Sequence, residues 1–128
     1  MNKRALVLFA HGARSASWAA PFERLRDLTQ AREPAVRVEL AFLELMSPRL
    51  PDVVAALVAD SITDITVVPV FLGQGGHVLR DLPLMVDELR VAHPRAAIKV
   101  VEAAGENAAV LQALSDYCVS ALSQAAPH

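Results

Sequence analysis

Two histidines in this chain each follow a short apolar run. His11 comes directly after Ala5-Leu6-Val7-Leu8-Phe9-Ala10, and His77 comes after the run Ile65 to Leu72 and the stretch Gly73-Gln74-Gly75-Gly76. Continuous runs of Val, Leu and Ile of this length read as parallel strands buried on both faces. In an open α/β sheet, ligands bind beyond the carboxyl ends of the strands, and neutral imidazole is the side chain best suited to a divalent transition metal there. The pair therefore points to a metal site. Glu44, just past the run ending Phe42-Leu43, adds a carboxylate to the same edge. Two imidazoles and one carboxylate make an open site with positions left for water or substrate. Glu44 has a structural alternative, capping the second helix. His93, ahead of Pro94, and the terminal His128 read as surface residues.

Four strands, each followed by a helix, are needed to position these groups. The strands are expected at about residues 4–10, 36–43, 64–72 and 97–102, where Val, Ile and Leu concentrate. Trp18, Phe22, Leu25 and Leu28, spaced at three or four, mark a first helix, with Ser17 as its N-cap. A second helix starts near Pro48 behind Ser47 and buries Leu50, Val53, Val54, Leu57 and Val58. A third is expected to open around Asp81-Leu82-Pro83, and a fourth spans about Asn107 to Ser123 with Leu111, Leu114, Cys118 and Leu122 turned inward. The expected fold class is α/β, a single doubly wound four-stranded parallel sheet of order 2-1-3-4 with right-handed crossovers. That order sets the first and third strands side by side, so residues 66 positions apart meet at one edge.

A chain of 128 residues fits one domain, residues 1–128. Hydrophobic residues make up 54% of it, which argues against disorder and suits a sheet covered by helices. With a net charge of -2 and no clustered run of Lys and Arg, no nucleic-acid partner is expected. The single cysteine, Cys118, rules out an internal disulfide and a Cys-based zinc cluster, agrees with a reducing cytoplasm, and is expected in the core. The apolar run at residues 5–10 is too short to span a membrane and lacks a cleavage pattern, so a cytoplasmic protein without membrane attachment is expected.

The run Ala10-His11-Gly12-Ala13-Arg14, then Ala41-Phe42-Leu43-Glu44 with Pro48, then Val68 to His77 ending in Asp81-Leu82-Pro83, resembles the small CbiX-type sirohydrochlorin chelatases. The resemblance covers the first two thirds of the chain. It implies a class II chelatase that inserts a divalent metal into sirohydrochlorin without ATP or an organic cofactor. Cobalt is the first choice, and iron and nickel are the other metals it admits. The positions matching the family's ligands are His11 and His77. Two departures stand out: Ala13 replaces a serine common in the family, and Gly105-Glu106-Asn107 replaces a Gly-Pro-His-Pro type segment.

The residue types suit this chemistry on their own terms. Insertion needs a site that binds a metal and then releases it, which a few imidazoles and a carboxylate do better than a thiolate cage. The macrocycle loses two pyrrole protons, and Glu44 or a histidine is placed to accept them. The carboxylates of sirohydrochlorin call for cations, and Arg14 and Arg80 lie one near each histidine. Gly75 and Gly76 would let backbone approach a flat ligand. A receiver domain shares the topology but needs acidic residues where the histidines stand. A histidine phosphatase wants Arg where Ala10 stands. The remaining rival is a carrier that binds metal or tetrapyrrole without turnover. One lobe supplies one wall of a cleft, so a homodimer is expected to supply the other.

Overall fold

Strands β1 (Arg4–Ala10), β2 (Arg37–Phe42), β3 (Asp64–Pro69) and β4 (Ala97–Val100) form one sheet. In the computed structural model, which describes residues 3–73 and 75–124, their order is β2-β1-β3-β4, as expected. All pairings are parallel, with Leu6 beside both Val38 and Thr66, and Thr66 beside Lys99. The third and fourth strands are shorter than expected. β3 ends at Pro69, which has no N–H to donate, although Val70 still donates its N–H to the Phe9 carbonyl at 2.9 Å.

The pleat divides the core in two. Ala5, Val7, Phe9, Ile65, Val67 and Ile98 face helices α2 (Leu50–Ala59) and α3 (Gly76–Ala92), which bury Leu50, Val53, Val54 and Leu57, and Val78, Leu82, Val86 and Leu89, against them. This inner stripe explains a correction. α3 opens at Gly76 rather than near Asp81, because burying Val78 as well as Leu82 and Val86 needs a helical turn ahead of Pro83, which lies inside the helix. α2 likewise starts two residues past Pro48, with Arg49 as its N-cap. Arg37 pairs with Asp60 at the end of α2 and with Glu39, and the Asp60 carboxylate, then Glu39, holds its guanidinium pKa above the ordinary value.

On the opposite face, Leu8, Ala10, Val38, Leu40 and Phe42 are covered by Trp18 and Phe22. These two rings meet with centroids 4.6 Å apart and planes tilted by 39°, Trp18 on a one-turn 3-10 helix (Ala16–Ala19) and Phe22 on helix α1 (Ala20–Arg32). Ser17 caps nothing here. It lies inside the 3-10 turn, its hydroxyl on that of Ser15, and Ala19 is the N-cap. Leu25 and Leu28 are exposed, Leu28 at 67%. Besides Phe22, α1 meets the sheet through Gln30, whose amide donates to the Val36 carbonyl and accepts from the Val38 N–H, satisfying the edge of β2.

The largest departure is helix α4 (Ala108–Ala121). It begins where expected, with Asn107 accepting from the Ala109 and Val110 N–H groups as its N-cap. Yet Leu111, Leu114, Cys118 and Leu122 are exposed, so the stripe assigned to the core is not in it. The reason lies in its exit. A second 3-10 turn (Ala104–Glu106) is tied to the loop after β3 by the Gly105 N–H on the Phe71 carbonyl, and α4 leaves from that turn.

Candidate functional site

The carboxyl ends of β1, β2 and β3 meet where the topology requires. Beyond β1, the backbone keeps pairing with the segment after β2: Leu43 N–H donates to the Ala10 carbonyl at 2.8 Å and Glu44 N–H to the His11 carbonyl at 3.0 Å. Sequence positions 11 and 44 are thereby locked side by side. Gly12 makes the approach feasible. Its φ is +96°, and a Cβ there would lie 1.8 Å from the Glu44 carbonyl oxygen, so no side chain fits at this position. Leu45 follows Glu44 with φ 67°, turning the chain sharply away from the edge.

His11 is half-buried, and its imidazole lies on the ring of Phe71 with centroids 4.1 Å apart and planes 30° apart. Phe71 is itself buried and packs on Phe9 at 5.8 Å. A core aromatic therefore backs the imidazole and restrains its plane, leaving the free face and edge toward the open end of the sheet. Sequence reasoning read Phe71 only as a strand residue. The available signal was its position two residues beyond Pro69 on the strand that must neighbour β1.

His77 lies on the first turn of α3, one residue after Gly76 and two after the N-cap Gly75. The side chains of Gly76 and His77, together with Gln74 and His128, are outside what the structure describes. β1 and β3 are neighbours, so the chain enters α3 from the same end of the sheet at which His11 follows β1. Glu44, Arg14 and Arg80 are exposed. Among the described residues, no three His, Cys, Asp or Glu side chains cluster closely enough to hold a metal.

Gly73 and Gly75 are not required by backbone conformation, since neither has a positive φ and both face open space. Two apolar side chains that sequence reasoning left out of the site stand exposed at the same edge: Leu45 at 59% and Leu72 at 66%. The arrangement is an open edge with a supported imidazole, a neighbouring carboxylate position, two outlying guanidinium groups and two bare leucines. Such an edge can hold a divalent ion beside the face of a flat apolar ligand with anionic margins.

A single-lobe, doubly wound parallel sheet with histidine at the carboxyl end of its first strand defines the class. The chain belongs to the CbiX family, whose model matches residues 5–121. A sirohydrochlorin cobaltochelatase of Methanopyrus kandleri is 33% identical over 82 residues, a stretch that is 64% of this chain and 57% of that protein. That of Sulfolobus acidocaldarius is 26% identical over 118 residues, 92% of both chains. Among solved structures, a CbiX protein of Marinobacter aquaeolei superposes with TM-score 0.85 at 30% identity, over 95% of this chain and 99% of that one. The sirohydrochlorin chelatase SirB of Bacillus subtilis, in complex with cobalt, superposes with TM-score 0.78 at 24% identity. It shares the fold, and this chain covers 50% of its length.

Proposed function

We propose that this protein inserts a divalent metal, cobalt first, into sirohydrochlorin, the metal and the macrocycle both being substrates. The observation that carries the reading is the His11 imidazole held on Phe71 at the carboxyl end of β1, within a chain of the CbiX family. Similarity to proteins named sirohydrochlorin cobaltochelatase supports the substrate and the reaction. Iron and nickel fit the same imidazole donors, and a SirB structure with Fe3+ supports keeping iron beside cobalt.

In this reading, neutral His11 and His77 hold the incoming ion, and Leu45 and Leu72 flank the macrocycle. Arg14 and Arg80 pair with its carboxylates. As the metal forms bonds to the ring nitrogens, two pyrrole N–H bonds break and two protons leave. Glu44, beside His11, accepts from that face and passes protons to solvent through its exposed carboxylate. Moderate affinity is essential, because the imidazoles must release the ion to the ring. No organic cofactor enters the reaction, which proceeds in the cytoplasm.

The open edge is one wall of the substrate cleft, and a second copy of the chain supplies the other. The half-length match to SirB supports this two-walled reading. Incubation with sirohydrochlorin and cobalt(II) tests the function. A shift in the macrocycle's absorbance well above the spontaneous rate supports it, and binding without acceleration favours a carrier instead.

A further inference from the structure

Phe71 backs the His11 imidazole, yet it lies beyond β3, which ends at Pro69, so the strand ladder does not hold it. A ring outside the ladder keeps one plane only if the backbone on either side of it is fixed. Upstream, the Val70 N–H donates to the Phe9 carbonyl at 2.9 Å and ties the chain to β1. Downstream, the chain runs on to Gly73 and Gly75, both of which face open space. The anchor on that side comes from far along the sequence: the Gly105 N–H donates to the Phe71 carbonyl at 2.8 Å.

Gly105 does more than donate. A Cβ there would lie 1.7 Å from the Leu72 carbonyl oxygen, 2.4 Å from its carbon and 2.7 Å from the Leu72 Cα. All three are backbone atoms, so no side-chain rotation relieves the overlap. The two segments would have to part by more than about 1 Å to reach van der Waals separation. The turn after β4 is thus laid directly on the backbone of residues 71 and 72, and this close approach is what requires glycine.

The turn is itself well held. Ala103 is buried, and the Glu106 and Asn107 N–H groups return to the Ala103 and Ala104 carbonyls at 2.9 and 3.1 Å. The Asn107 side chain accepts from the Ala109 and Val110 N–H groups and donates to Glu102. Val101 N–H donates to the Val67 carbonyl at 3.1 Å, tying the same segment back to β3. Phe71, for its part, is buried between Phe9 and His11, with ring centroids 5.8 and 4.1 Å away. In so closely packed a stack, a backbone shift of about 1 Å at Phe71 passes to its ring and from there to the imidazole.

We propose that Gly105 is a positioning residue for the reaction, setting the plane of the His11 imidazole through Phe71. The assignment rests on the chelatase reading and adds the exit of β4 to a site otherwise built from the first three strands. Gly105 acts on the ring behind the imidazole and not on the metal or the macrocycle.

NMR and kinetics of the full chain with Gly105→Ala test this. Protons above an aromatic face are shielded, so the His11 imidazole signals, assigned by their loss in His11→Ala, lie upfield in the wild type. In Gly105→Ala they are expected to move at least halfway to the position of an exposed histidine, with far-UV circular dichroism retained. The metallation kcat is expected to fall by about 10- to 100-fold, the effect of displacing a reacting group by about 1 Å. Added to Phe71→Leu, Gly105→Ala is expected to cost less than about 3-fold further, because the ring it steers is gone. Ala103→Gly loosens the same turn without adding an atom and is expected to move the signals the same way by a smaller amount. It decides the question where Gly105→Ala does not fold. Unmoved His11 signals in a folded variant overturn the proposal, as do losses that multiply in full in the double variant. Moved signals beside a wild type that shows no metallation uphold the positioning and remove the chelatase reading.

Discussion

At the residue scale, the role proposed for His11 rests on what lies behind it. Phe71 fixes the imidazole plane, so Phe71→Leu, which keeps the site filled but removes the flat ring, is expected to slow metallation by about 10-fold through loss of orientation while the fold persists. Steady-state rates beside thermal melts separate these effects. His11→Ala and His77→Ala are each expected to abolish metallation with circular dichroism retained, since position 11 is only half-buried and position 77 is on the first turn of a helix. Near-normal turnover in either variant removes that residue from the mechanism. Gly12→Ala meets both a positive φ and the Glu44 carbonyl. It is expected to lower stability by about 1–3 kcal/mol or to displace Glu44 from His11, as denaturant melts and activity together would report.

At the scale of elements, the sequence was most readable where burial is two-sided. β1 was legible to the residue, and the sheet order followed from four apolar runs alternating with helical stripes. Position 11 and position 44 followed from the strand ends. The reading failed where one local signal stood for two outcomes. Asp81-Leu82-Pro83 looks like a helix start, but the burial of Val78 pulled α3 forward by a turn and left Pro83 inside it. Apolar spacing on α1 and α4 shows that a helix has an apolar side, not what covers it, so Cys118 was placed in a core it does not join, and Leu25 and Leu28 are exposed. Phe71 and Leu72 were read as strand because their run is continuous, whereas β3 ends at Pro69 and frees them for the site. The packed helices should respond differently from α4. Leu57→Ala empties a fully buried position on α2 and is expected to cost about 2–5 kcal/mol in urea unfolding. A loss below about 0.5 kcal/mol would place the core elsewhere.

At the scale of the whole molecule, a one-lobed chain has one open sheet edge and one incompletely covered face. The two deficits have different consequences. In the proposed reaction the open edge bears the chemistry, and its exposed Leu45 and Leu72 suit the face of a macrocycle. The second face is covered by Trp18 and Phe22 on its β2 side, while α4 stands exposed. The proposed dimer would tie activity to assembly: turnover per chain is then expected to fall on dilution below the dimer dissociation constant. Activity that stays proportional to protein through the monomer range, measured alongside light scattering, contradicts a shared cleft.

The central claim is that the His11 edge catalyses insertion of metal into sirohydrochlorin. The direct measurement is the absorbance change of sirohydrochlorin with cobalt(II), followed with wild-type protein, with His11→Ala and without protein. The account predicts metallation by wild type far above the spontaneous rate, and a His11→Ala rate indistinguishable from the protein-free control. Equal rates with and without wild-type protein, or full activity in His11→Ala, would contradict it.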